Sequence, residues 1–164
     1  IRDPRFAILG NHDFIEKVAF LEAIGFTVLL NECEPIEREG ARLWICGVDD
    51  PHFFHTHDLR KARERVPSDE TAILLSHSPE TYVEAEKLGF AFMLSGHTHG
   101  GQLCLPGGFA IIGNAPVPRR FLAGPWQHGS LLGYTSRGTG ASGVPARFNC
   151  PSEVTIHTLR RSSP

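Results

Sequence analysis

No apolar run in the 164-residue chain approaches the ~20 residues that a bilayer-spanning helix needs, and no signal peptide opens it. Its first residues, IRDPRFAILG, run directly into what reads as an interior strand, so the chain is expected to begin in the middle of a fold. Neither sign of charge dominates. A net charge of −2 removes the strong field that would draw in nucleic acid or an anionic membrane. No CxxC pair occurs among Cys33, Cys46, Cys104 and Cys150, which argues against a cysteine-based zinc site. Cys46, inside the apolar run LWICGV, reads as a buried free thiol. There is no internal repeat and no low-complexity linker, and Gly138, Gly140 and Gly143 form no P-loop because no GK[ST] follows them. What remains is an ordinary globular composition, 41% hydrophobic and 21% charged, long enough for one core. Residues 1–164 are therefore expected to form a single domain.

Apolar runs and breakers order that domain. RFAIL (5–9) stops at Gly10 as a buried strand should. Asp13–Ile24 carries Phe14, Val18, Leu21 and Ile24 at helical spacing, with Gly25 as its stop. TVLL reads as a strand, and PIEREGARLWICGV as a hairpin turning at Glu39–Gly40 before the acidic corner GVDDP. Asp58–Val66 is expected as a charged helix, TAILL (71–75) as a buried strand, Thr81–Leu88 as a helix ended by Gly89, and FAFML (90–94) as a third apolar strand. After Gly100, short β-like pieces (GQLCLP, FAIIG, SLLGYTSRG, EVTIHTL) replace helices. The class is α/β, with a parallel β/α half followed by antiparallel strands.

Three apolar strands end in polar, imidazole-bearing corners: RFAIL-GNHD, TAILL-SHSP and FAFML-SGHTHG. If the strands are parallel, all three corners share the carboxyl edge of a sheet, where open α/β sheets place ligands. Neutral imidazoles suit zinc, manganese or iron, and an Asn carbonyl oxygen is a harder supplementary ligand. His97 and His99 bracket one residue on a Gly-flanked turn, so their rings can be aimed at two ions about 3.5–4 Å apart. His77 supplies a third imidazole and Asn11 an oxygen. His12 is a candidate proton donor, with Asp13 beside it to orient the ring. Each corner taken alone has a plainer explanation, such as a turn capped by Asp. Three on successive apolar strands make a constellation.

GNHD, a strand-end His before Ser-Pro, then GHTHGGQ and a Pro-Gly hairpin together resemble the calcineurin-like metallophosphoesterases, most closely a bacterial YkuE/YaeI-type branch. GVDDP and the tail SRGTGASGVPARFNCPSEVTIHTL extend the resemblance over essentially the whole chain. It implies an αββα sandwich and hydrolysis of phosphodiester, phosphomonoester or pyrophosphate bonds by a metal-bridging hydroxide. It implies that Asn11, His77 and His97 hold one ion, that His99 helps hold another, and that His12 contacts phosphate with Asp13 as its orienting partner. The cofactors implied are two divalent ions (Mn, Zn or Fe), and the substrate a small phosphate ester or lipid phosphate. The family's opening DxH and GDxxD-like motifs find no counterpart upstream of Gly10, and Asp49-Asp50 follows GNHD and does not replace them. The chain is thus expected to correspond to a C-terminal portion, to hold at most one ion well and to be inactive or nearly so alone. The alternative is a degenerate or truncated metal-binding or interaction domain without catalysis. Oligomeric state stays open, as does location, whether in the cytoplasm or at the cell envelope through an anchor elsewhere.

Other enzyme classes with an HxH corner fit less well. Metallo-β-lactamase-like enzymes want HxHxDH, whereas HTHGGQ here lacks the Asp and the final His, and amidohydrolases place HxH on a first barrel strand. His52, His55 and His57 form a second histidine patch, expected as a solvated loop, with a peripheral metal or substrate contact as the alternative. Arg119-Arg120 reads as a solvent-facing pair, Arg137 and Arg147 as flanks of a Gly-rich corner, and Trp44 and Trp126 as packing residues.

Overall fold

The computed structural model describes residues 4–160. Its centre is a six-stranded mixed sheet in the order β3-β4-β5-β6-β10-β9. These strands are β3 (Glu32–Arg38), β4 (Ala41–Gly47), β5 (Ala72–Leu75), β6 (Phe92–Ser95), β9 (Gly124–His128) and β10 (Leu131–Thr135). Strands β4, β5, β6 and β10 run parallel to one another, and the two outer strands run antiparallel to their neighbours. Each outer strand carries a proline, Pro35 in β3 and Pro125 in β9, where a missing N–H costs the ladder least.

Alternation along the strands builds two cores. Trp44, Cys46, Ala72, Leu74 and Met93 face one way, onto Leu59 and Ala62 of helix α2 (Leu59–Arg63), Ala85 of α3 (Tyr82–Lys87), Phe90 and Phe121. Ile45 and Ile73 face the other way, onto Leu29, Phe6 and Ile8. Phe6 belongs to β1 (Phe6–Ala7), which pairs in parallel with β2 (Thr27–Val28) as a separate two-stranded sheet. The expected stacking of two sheets is therefore present, with a thin second layer. β1 does not join β5 and β6 in one sheet, which corrects the simple picture of three strands side by side.

Other expectations shift at their boundaries. The helix read over 13–24 forms only as α1 (Lys17–Ala23). It ends as anticipated, because Gly25 at φ +85° donates to the Glu22 carbonyl and Phe26 to that of Leu21. EVTIHTL forms no strand, and the later β pieces reduce to β7 (Cys104–Leu105), β8 (Phe109–Ala110), β9 and β10. Cys46 is not a free thiol. The hairpin register sets it opposite Cys33, with Cα atoms 4.0 Å apart, and the two form a disulfide. Cys104 and Cys150 are free and buried. Among the described residues no helix is long and apolar enough to cross a membrane.

Candidate metal centre

Because β4, β5 and β6 are parallel, the segments that leave them emerge at one rim: Val48–Asp50, Ser76–His77 and Gly96–His99. Residues Gly10 and Asn11 reach the same rim from the β1 layer. Gly10 permits the meeting, since a Cβ there would sit 2.6 Å from the His77 ring, closer than side chains pack. Asn11 Oδ1 lies 2.8 Å from His77 Nε2, which lies 3.2 Å from His97 Nδ1. Residues 66 positions apart in sequence thus face a common point.

His97 and His99 both adopt left-handed backbone, at φ +65° and +50°. Each costs about 1 kcal/mol for a residue with a Cβ. The corner is held in that shape by buried Thr98, whose hydroxyl donates to the Leu122 carbonyl at 2.6 Å and accepts from Gly100 N–H at 3.3 Å. Nε2 of His97 meets the Asn114 carbonyl at 2.8 Å, which fixes the tautomer and leaves Nδ1 with the lone pair. Burial, above all, pushes His97 down to about 4, with the charge of His52 adding to it. Burial lowers His77 as well. Both rings are therefore neutral near pH 7, as metal ligands must be.

The donor set fits a divalent cation. Ligand atoms at about 2.1 Å from a zinc-class ion lie about 3.0 Å apart at octahedral angles and about 3.4 Å apart at tetrahedral ones. The observed 2.8 and 3.2 Å fall close to that range. A cavity of about 240 Å³ opens over these atoms and is also lined by His12, Asp13 and His99. His99 is thus near but apart from the three converging donors, and its Nδ1 is 3.4 Å from Arg147 Nη2.

The expected orientation of His12 by Asp13 is not the arrangement found. Asp13 accepts from Gly10 N–H at 2.9 Å and from Lys17 Nζ at 2.5 Å, while His12 is exposed. Burial alone would raise Asp13, but these two donors outweigh it and hold the carboxyl below its ordinary value. Arg147 is spent on the carbonyls of Arg137, Gly138 and Gly140, and Arg137 pairs with Glu153 at 2.7 Å. Arg119 and Arg120 are exposed, with Arg120 lying over the Phe121 ring.

One neighbour sits closer to the centre than the solvated loop expected for it. His52, expected on a solvated loop, is half-buried with its ring centroid 4.0 Å from that of His97, and its Nδ1 is 2.5 Å from Glu80 Oε1. The available signal was GVDDPH itself, a fourth strand-end corner on a strand parallel to β5. His55 is exposed, and His57 has a buried Nδ1 without a hydrogen-bond partner among the described residues.

No protein-family model matches the chain, and no solved structure matches it. Curated proteins do. It is 31% identical to the uncharacterized metallophosphoesterase YkuE of Bacillus subtilis over 97% of this chain and 57% of that protein. It is 34% identical to the phosphodiesterase YaeI of Escherichia coli over 95% of this chain and 58% of that protein. A transmembrane protein with metallophosphoesterase domain from Bos taurus is 32% identical over 92% of this chain and 37% of its own length. Homologues named metallophosphoesterases thus match the chain over nearly its whole length, which supports its membership of the metallophosphoesterase family. It spans little more than half the length of the two bacterial relatives, and the cattle protein shows that the similarity is not confined to bacteria.

Proposed function

We propose that the chain carries one half of a metal-dependent phosphoesterase centre, in which Asn11, His77 and His97 hold a divalent ion and His99 faces a second. The observation that carries this reading is the approach of Asn11 Oδ1, His77 Nε2 and His97 Nδ1, 2.8 and 3.2 Å apart in sequence order, from strands of two different layers. A divalent cation of the manganese, zinc or iron type would supply Lewis acidity toward a phosphoryl oxygen and acidify an attacking water. The chain's own residues do the rest. Gly10 lets the His77 ring approach, Asn114 orients His97, and exposed His12 at the cavity lip is free to donate a proton to a leaving alkoxide. The cavity of about 240 Å³ suits the phosphate group of a small ester or of a lipid phosphate, with the remainder of the substrate outside.

Three neutral donors and no carboxylate make a weak half-site, so the chain alone is expected to hold at most one ion and to turn over slowly. The same deficit favours the second reading, ion binding without catalysis. Metal content by mass spectrometry and hydrolysis of an aryl phosphodiester with added Mn²⁺ test both. Loss of the bound ion in His97→Ala is expected. An ion retained in that variant overturns the assignment, and brisk turnover by the unaltered chain removes the half-site argument.

A further inference from the structure

Beside the donors already described stands a group of which the phosphoesterase reading uses His97 alone. Ligand atoms of His52, Glu80 and His97 all lie within 4.8 Å of one another. Two ligands of one zinc-class ion can be at most about 4.2 Å apart, so small side-chain rotations close the set. We propose that His52, Glu80 and His97 form a second position for a divalent transition-metal ion, adjoining the Asn11–His77 position and sharing His97 with it.

The scaffold behind the new ligands is built, unlike that of a solvated loop. The Asp50 carboxylate is fully buried and accepts from the backbone N–H groups of His52, Phe53 and Phe54, which pins the start of the loop. Glu80 sits on a short 3-10 helix (Pro79–Thr81), and its Oε1 accepts from Ser78 Oγ at 2.9 Å. The hydroxyl of Ser76, in turn, donates to the Ser78 carbonyl. Such partners fix a ligating carboxylate in the way metal sites require.

Charge distinguishes the two positions. Asn11, His77 and His97 are all neutral, so an ion among them keeps both its charges in a half-buried place. Glu80 cancels one of them, and two imidazoles with one carboxylate is a donor set that zinc and iron sites use, with a coordination position left open. A neutral imidazole has a single lone pair, and Nε2 of His97 faces the Asn114 carbonyl. The two positions are therefore alternatives, and an ion that uses His97 sits in one at a time. The carboxylate-bearing position is the tighter of the two in this chain.

The test takes the full 164-residue chain, strips it with a chelator and titrates it with Co²⁺, following visible absorption and heat, with thermal melts to confirm that each variant folds. One ion per chain is expected. Glu80→Gln and His52→Ala should each weaken Co²⁺ by about tenfold or more, and His77→Ala should leave affinity within about threefold. Unchanged affinity in Glu80→Gln and His52→Ala overturns the proposal. If His77→Ala then loses the ion, the phosphoesterase reading stands without the second position. If His77→Ala and His97→Ala also bind normally, both fall.

Discussion

Strand β5 delivers His77 from a sheet interior in which Ala72 and Leu74 are fully buried, whereas Asn11 comes from a two-residue strand followed by a helix that buries no residue. In α1 and the turn before it, Phe14, Ile15 and Phe20 are 63–65% exposed. The same centre thus rests on one deep support and one shallow one. His77 and His97 are placed by the packing of the whole sheet. Asn11 and His12 are placed by few contacts, of which the Gly10–His77 approach and the Asp13–Lys17 pair are the most specific. Geometry at the centre should follow the stability of the sheet, and the placing of Asn11 and His12 should be adjustable from the thin layer without unfolding the molecule.

The largest effect is expected from the deep side. Leu74→Ala leaves a cavity between β5 and the helices and should cost about 2–5 kcal/mol, read as a lower midpoint in denaturant melts. A smaller cost than that of an exposed substitution would erase the contrast between the two supports.

Next comes pH, in the metal-free chain. The folded-state value of His97 is about 4, below its ordinary 6.5, so between those values the unfolded chain binds more protons than the folded one. Stability is full above the ordinary value and falls as pH drops through that window, by about 3 kcal/mol in total. Melts at stepped pH should show this slope, and His97→Gln should flatten it.

Gly10→Ala is the sharpest probe of the junction. Its new Cβ would press on the His77 ring and should shift that ring's NMR signals, while divalent-ion affinity stays within about threefold, as in His77→Ala, and melting changes little. Phe20→Ser, on the exposed face of α1, should change stability by no more than about 0.5 kcal/mol. A large loss there would mean that the shallow support carries more than its burial shows.

The sequence made the deep support readable and the shallow one less so. TAILL and FAFML are apolar throughout because both faces of their strands are covered, so their ends could be found and His77, His97 and His99 picked out. The helix over 13–24 was overextended because its apolar spacing is real but buries nothing, and burial is what normally makes such spacing informative. The disulfide was within reach. A turn at Glu39–Gly40 makes Arg38 face Ala41, and the same register sets Cys33 against Cys46. Reading Cys46 without its hairpin partner hid that pairing. His52 was set on a solvated loop, with a peripheral metal contact only as the alternative, for a related reason: β4 was treated as half of a hairpin, although its other neighbour, β5, is parallel and brings its end to the shared rim. The pairing of His12 with Asp13 assumed that adjacent side chains cooperate, yet the turn at Gly10 claims that carboxylate first.

The prolines at the two borders of the central sheet bear on how the molecule behaves in company. Pro35 and Pro125 each remove a donor from an outer strand, so an incoming chain finds an interrupted docking track on either flank. The sheet stops at six strands, and crowded copies of the protein are discouraged from zipping together edge to edge into fibrils.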